Sequence, residues 1–205
     1  MATIEQECAT RNIDRLFHFT PVEHLDSILK HGLLTPRTCA VRSVAYKAND
    51  AARYDGQDAI CLSIEWPNWS LFWSFRQRDT SKHWALLQLK HSLLWEKRVC
   101  FNSTNAADNS MSSLTFLARQ GVGKFVELFD DYGLKKRVDL NIPAHQTTNP
   151  QAEVLCIDNI EPTYVTDVHL LDVDLYRRYK ETYPGKHVTH GSQYFKYRDD
   201  WNHWK

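Results

Sequence analysis

Thr148-Asn149-Pro150-Gln151-Ala152-Glu153-Val154-Leu155-Cys156-Ile157 reads as a turn that delivers a carboxylate to the start of an apolar strand. Asn-Pro interrupts whatever element precedes it, and Val-Leu-Cys-Ile is the short β-type run expected inside a buried sheet. Glu153 is then anchored by the sheet and faces either solvent or a cleft above the strand end. Residues two apart on a strand project from the same face. The Gln151-x-Glu153 spacing therefore predicts an amide and a carboxylate aimed into one cleft.

At the other end of the chain, Leu16-Phe17-His18-Phe19-Thr20 forms a strand that runs straight into a helix. Thr20 as N-cap, Pro21 at the first helical position and Glu23 at the third predict a capping box. Val22, Leu25, Ile28 and Leu29 supply the apolar stripe of that helix, and Gly32 stands where a left-handed residue closes it. Residues 35–58 lack periodicity and predict an irregular or partly helical excursion. Further strands are expected at 59–64, 84–89, 98–101 and 164–171, with helices at 69–75 and 174–183. A mostly helical stretch over 111–132 is expected to break or kink at Gly121 and Gly123, and a polar loop spans 135–148. Strands and helices in mixed order, without βαβ alternation or a glycine-rich phosphate loop, predict α+β rather than a Rossmann fold.

The chain of 205 residues carries Lys+Arg 25 against Asp+Glu 25. One domain over residues 1–205 is expected. Zero net charge argues against duplex-DNA binding by bulk phosphate neutralisation, yet leaves room for single strands held by stacking in a local groove. Cys8, Cys39, Cys61, Cys100 and Cys156 are widely spaced without a Cys-x-x-Cys pair, so neither a disulfide framework nor a zinc site is expected. The polar start, with no charged-then-apolar leader, and the lack of any membrane-length apolar run read as a cytoplasmic protein with no membrane association.

Phe17-His18-Phe19-Thr20, Leu25-Asp26-Ser27-Ile28-Leu29-Lys30-His31-Gly32-Leu33-Leu34, Arg42-Ser43-Val44-Ala45-Tyr46 with Arg53 beyond it, Cys61-Leu62-Ser63-Ile64, Asn105-Ala106-Ala107 and Thr148 to Leu155 follow one another in order. As an ordered set they resemble DarT, the family of toxins that transfer ADP-ribose from NAD to bases of single-stranded DNA. The resemblance implies an ADP-ribosyltransferase-like split mixed β-sheet with flanking helices that clasps NAD, the ADP-ribose donor, with no metal. It also implies single-stranded DNA as acceptor, thymine by default with guanine as the near alternative; the runner-up readings are a transferase of the same fold acting on RNA or protein, or a catalytically silent nucleic-acid-binding module. A macrodomain antitoxin that strips ADP-ribose from DNA is the implied partner, in toxin–antitoxin or phage-defence settings.

Residue by residue, the resemblance makes Glu153 and Arg53 catalytic. Loss of nicotinamide from NAD leaves an oxocarbenium-like ribose, and a carboxylate beside a ribose hydroxyl stabilises such a cation. Family accounts give the Arg a part in removing a proton from the base, but a guanidinium is a poor base at neutral pH. Stabilisation of a deprotonated ring nitrogen is the better physical role for Arg53. His18, Thr20, Gly32, Tyr46, Ser63 and Phe72 are assigned to NAD, and Gln151 and Asn105 to the DNA acceptor. Bland readings stand beside several of these. His18 between two phenylalanines fits a hydrogen-bonded core histidine, Arg53 a solvated charge and Phe72 simple core. Asn105 fits the cap of a turn. The tail from Tyr194 to Lys205 interleaves aromatic and basic residues, which suits single-strand stacking and equally a terminal strand packed on the sheet.

Overall fold

The computed structural model describes residues 2–44 and 57–205. Helix α1 (Ile4–Arg11) leads into β1 (Arg15–Pro21), followed by a 3-10 turn, α2 (Leu25–His31) and α3 (Pro36–Val41). Beyond residue 57 come β2 (Ile60–Ile64), α4 (Trp69–Arg78), β3 (Trp84–Lys90), α5 (Leu93–Glu96) and β4 (Val99–Asn102). Short helices α6 (Asn109–Ser112), α7 (Val122–Glu127) and α8 (Arg137–Leu140) precede β5 (Glu153–Cys156). The chain then runs through β6 (Val165–Leu170), α9 (Val173–Thr182) and β7 (His187–His190), and ends in two 3-10 turns.

The strands form one seven-stranded sheet in the order β4-β5-β2-β1-β3-β6-β7. β6 and β7 are parallel and the other neighbours antiparallel, so the sheet is mixed. Its two halves hang together by little. β1 pairs β3 over its whole length, from Arg15↔Lys90 to Pro21↔Trp84, but meets β2 only at Leu16↔Ile64 and Phe17↔Ser63. Beyond Phe17 the sheet is split.

The long β1–β3 ladder explains why the anticipated capping box does not form. Thr20 is a strand residue opposite Ala85, and the ladder continues through Pro21. The Val22 N–H donates to His83 O at 2.9 Å, which turns the position of the missing Pro21 N–H away from β3 and toward the split, where no ladder bond is lost. Seven positions of sheet pairing outweigh a local helix signal, and α2 starts only at Leu25 with no side-chain cap. Its end is as anticipated. Gly32 has φ +85, and a Cβ there would meet Ile160 O at 2.1 Å. Leu33 and Ile160 exchange backbone bonds of 2.9 Å directly beside it, so only a glycine permits this approach.

Each face of the sheet buries a different layer. Leu16, Leu87, Leu89, Leu62, Val154 and Val168 join the main core, under Leu25, Ile28, Leu29 of α2 and Phe125 of α7. On the opposite face Phe19 packs with Phe72, Phe75 and Trp84, while Cys100, Leu155, Ala59 and Ala106 form a separate small cluster. The helical expectation over 111–132 dissolves into short pieces around Gly121, which has φ +92. The tail is not a strand: Gln193–Phe195 and Asp199–Trp204 are 3-10 turns, and the polar start of the chain contains α1.

Candidate active site

The site is built where the split opens. Register aligns Gln88 with Phe17, Phe17 with Ser63, and Asn102 with Glu153, and continuing the Leu62↔Val154 pairing by one step sets Ser63 beside Glu153. These residues form one row across the sheet on the face opposite the main core. Glu153 opens β5 because the preceding turn closes on itself, with Ala152 N–H donating to Asn149 O at 3.1 Å.

Glu153 does not meet bulk solvent. It is 6% exposed, and its Oε2 accepts the Ala106 N–H at 2.8 Å. Asn105 Nδ2 donates to Oε1 at 3.4 Å, and Asn102 Nδ2 donates to the Glu153 backbone carbonyl at 3.1 Å. A buried carboxylate is tolerable when donors satisfy it. Asn105 also caps a turn, as anticipated, its Oδ1 accepting the Ala107 N–H at 2.9 Å.

Gln151 is not on the strand. It sits in the turn before β5, exposed, with its N–H donating to Asn149 Oδ1 at 2.9 Å. The two-residue strand alternation therefore does not relate Gln151 to Glu153, since the strand has not yet begun. His18 stands at the mouth of the split, where its Nδ1 lies 2.9 Å from Cys61 O on β2. It shares the face of Leu16 and Thr20, opposite Phe17 and Phe19, as strand alternation predicts. Burial pushes its imidazole pKa down, against a smaller upward pull from the Cys61 carbonyl.

That depression has a measurable consequence. An unfolded chain protonates His18 near 6.5, whereas the folded one resists. Stability is thus whole above about pH 6.5 and falls as the pH decreases below it, because the unfolded chain then binds a proton that the folded one refuses. Melting curves of wild type and His18→Gln between about pH 5 and pH 7 should diverge, with the wild type the more acid-sensitive. Parallel curves would contradict this placement of His18.

Thr20 is buried on β1, and Ser63 Oγ accepts the Asn68 N–H at 3.1 Å, fixing the start of α4 to the row that holds Glu153. Phe72 is 2% exposed, stacked on Phe19 with ring centroids 4.8 Å apart. Gly32 serves the close approach to Ile160 described above. Arg53 and Tyr46 lie outside the described residues. Among the described residues no group of three or more His, Cys, Asp or Glu side chains is disposed to hold a metal ion.

Several supporting residues escaped sequence reasoning. Arg119, 1% exposed, donates through Nη1 to Asn102 Oδ1 at 2.5 Å and so buttresses the amide that grips the Glu153 backbone. Arg198 donates to Thr147 O and Thr148 O at 2.8 and 2.9 Å, and Arg137 Nη1 to Thr148 Oγ1 at 2.9 Å, locking the loop that leads to Glu153. Glu65 closes the joined end of the split from a left-handed φ of 59, accepting the Asp14 and Arg15 N–H groups, with burial pushing its pKa up. These contacts join residues 11 to 51 positions apart, and no local pattern announces them.

Comparison with known proteins places this geometry. The chain resembles, at 14% identity and TM-score 0.56, the solved structure of Thermosipho africanus DarTG in complex with ADP-ribose, over 88% of this chain and 50% of that one. It therefore spans half the length of the Thermosipho chain. It resembles Thermus sp. 2.9 DarT in complex with ADP-ribosylated ssDNA at 10% identity and TM-score 0.59, covering 90% of this chain and 97% of that one. The same Thermus protein in complex with NAD+ matches at 11% identity and TM-score 0.54, over 89% and 97% of the two chains. No curated protein matches in sequence. At such identities the structures establish a shared fold, the split mixed sheet with flanking helices. The family model for DarT, ssDNA thymidine ADP-ribosyltransferase, matches residues 17–201, nearly the whole chain, and the protein belongs to the DarT family.

Proposed function

We propose that this protein cleaves NAD and transfers the ADP-ribose to a thymine of single-stranded DNA, as a cytoplasmic toxin or phage-defence factor restrained by a macrodomain antitoxin. The observation that carries the reading is Glu153, a buried and hydrogen-bonded carboxylate beside the split of a DarT-type sheet. Support for the donor and acceptor comes from relatives of the same fold, the Thermus DarT complexes with NAD+ and with ADP-ribosylated ssDNA. Support for the antitoxin comes from the Thermosipho DarTG protein. Among the described residues no helix is long and apolar enough to cross a membrane.

The chemistry asked of the residues is modest. Glu153 holds a ribose hydroxyl and faces the positive charge that develops as the bond to nicotinamide breaks. Nicotinamide leaves, and a base nitrogen bonds to the exposed anomeric carbon as its proton passes to water or to Glu153. His18, Thr20, Gly32, Ser63, Phe72 and Tyr46 are assigned to NAD, and Asn105 and Gln151 to the acceptor strand. The reaction demands an unpaired base, because a stacked and paired thymine hides its ring nitrogen. Transfer to an oligonucleotide is therefore expected as a single strand and not in its duplex. Equal modification of both forms would overturn the proposal.

Arg53 is assigned to the acceptor side, where its planar cation offsets the charge of a deprotonating base. Arg53→Ala is expected to stop DNA transfer while NAD hydrolysis by water persists, and Arg53→Lys to restore transfer only in part, a point charge replacing a two-pronged donor. Nicotinamide release with and without oligonucleotide separates the outcomes. Parallel loss of hydrolysis and transfer, with a raised requirement for NAD, would instead put Arg53 on the donor.

A further inference from the structure

The C-terminal tail and the start of α4 build a ladder of partly exposed rings. Trp69 opens α4, and Trp73, 46% exposed, lies one turn further along the same helix face. Tyr197, 41% exposed, meets Trp69 edge-on with centroids 5.2 Å apart. Trp201 stacks on Tyr197 at 5.3 Å and an interplanar angle of 28°. Lys205 Nζ closes the row 4.1 Å above the Trp201 ring, and Lys196 is exposed beside it. Core aromatics of the neighbouring cluster behave differently: Phe72 and Phe75 are 2% and 8% exposed.

Two anchors tie the ladder to the catalytic row. Asn68, the residue before Trp69, bonds Ser63, and Arg198, the residue after Tyr197, grips the carbonyls of Thr147 and Thr148 in the loop that ends at Glu153. The rings thus flank both the start of α4 and the loop preceding the candidate catalytic carboxylate. We infer that this ladder is the platform on which the bases flanking the target stack, with Lys205 and Lys196 meeting the phosphates. The inference rests on the DNA-acceptor reading above and deepens it. Zero net charge sharpens the argument, because a strand that finds few phosphate contacts must be held by ring faces, and every base has one.

Stacking on one ring is worth about a tenfold change in affinity. The measurement is the KM for two thymine-containing oligonucleotides, one a trinucleotide centred on the target and one extended by several bases on both sides. Wild type is expected to favour the longer strand strongly. Tyr197→Leu, which keeps apolar contact with Trp69 but offers no ring face, should shrink the ratio of the two KM values about tenfold, and Trp201→Leu should act likewise. Tyr197→Phe should restore the wild-type ratio. Melting curves verify that each variant is folded. An unaltered ratio in folded Tyr197→Leu and Trp201→Leu overturns the ladder while leaving DNA transfer intact. Failure of the wild type to modify either oligonucleotide would remove the acceptor reading, and the ladder proposal with it.

Discussion

Glu153→Gln should lower ADP-ribose transfer by roughly 10³-fold or more, the scale expected when a preorganised charge facing a developing cation is lost. The substitution preserves shape and one acceptor oxygen, which can stay on the Ala106 N–H that Glu153 Oε2 now meets at 2.8 Å. What it loses is the negative charge and the second acceptor, the Oε1 opposite Asn105 Nδ2. Asn105 cannot simply turn its amide over, since its Oδ1 already accepts the Ala107 N–H. A mild loss of stability, about 1 kcal/mol, should accompany the loss of activity. Glu153→Ala is the poorer probe because it strands the buried Ala106 N–H, at a cost of about 1–3 kcal/mol. Initial rates of transfer, measured on protein whose melting curve shows it folded, check the expectation. Near wild-type rates in Glu153→Gln would remove Glu153 from the chemistry.

The largest effect on stability should come from Arg198→Met. Arg198 and Asp200 are 2% and 3% exposed, and the guanidinium meets the carboxylate through two bonds of 2.6 Å. Its remaining donors satisfy Thr147 O and Thr148 O, and Trp204 Nε1 donates to Asp200 Oδ2 at 2.7 Å. Removing the arginine leaves a buried carboxylate with one donor and two orphaned carbonyls. Breaking a buried pair this way costs about 3–5 kcal/mol, which lowers the melting temperature by about 10 °C or more in a chain of this length. Arg198→Met combined with Asp200→Leu should recover much of the loss, because no uncompensated charge remains. Thermal melting of the single and double variants decides it. Additive losses would mean that the pair is not coupled.

These two side chains also mark the boundary of what the sequence makes legible. The strands at 60–64, 84–90, 99–102 and 165–170 and the helix from 173 announce themselves through apolar runs and periodicity. Glu153 was legible for the same reason, since a turn signal stands directly before a β-type run. Thr20 misled because its capping box is complete in sequence, while the competing ladder with Trp84–Lys90 depends on residues some sixty positions away. Gln151 misled because β5 begins two residues later than alternation required. Arg198 and Arg119 are ordinary arginines in sequence. Their importance comes from what lies opposite in the fold, Thr147 and Thr148 for one and Asn102 for the other. The Tyr194–Lys205 segment gave its composition but not its conformation, because 3-10 turns held by single side-chain anchors leave no periodic trace.

ADP-ribose transfer to an unpaired thymine is read out by mass analysis. Purified protein and NAD are incubated with a thymine-containing single strand, the same strand with thymine replaced by cytosine, and an RNA of matching sequence. The expected result is an adduct of one ADP-ribose on the thymine-containing DNA alone, with stoichiometric release of nicotinamide, and no adduct when Glu153→Gln replaces wild type. NAD consumed with the ADP-ribose found on RNA, on protein or only as free hydrolysis product would contradict it.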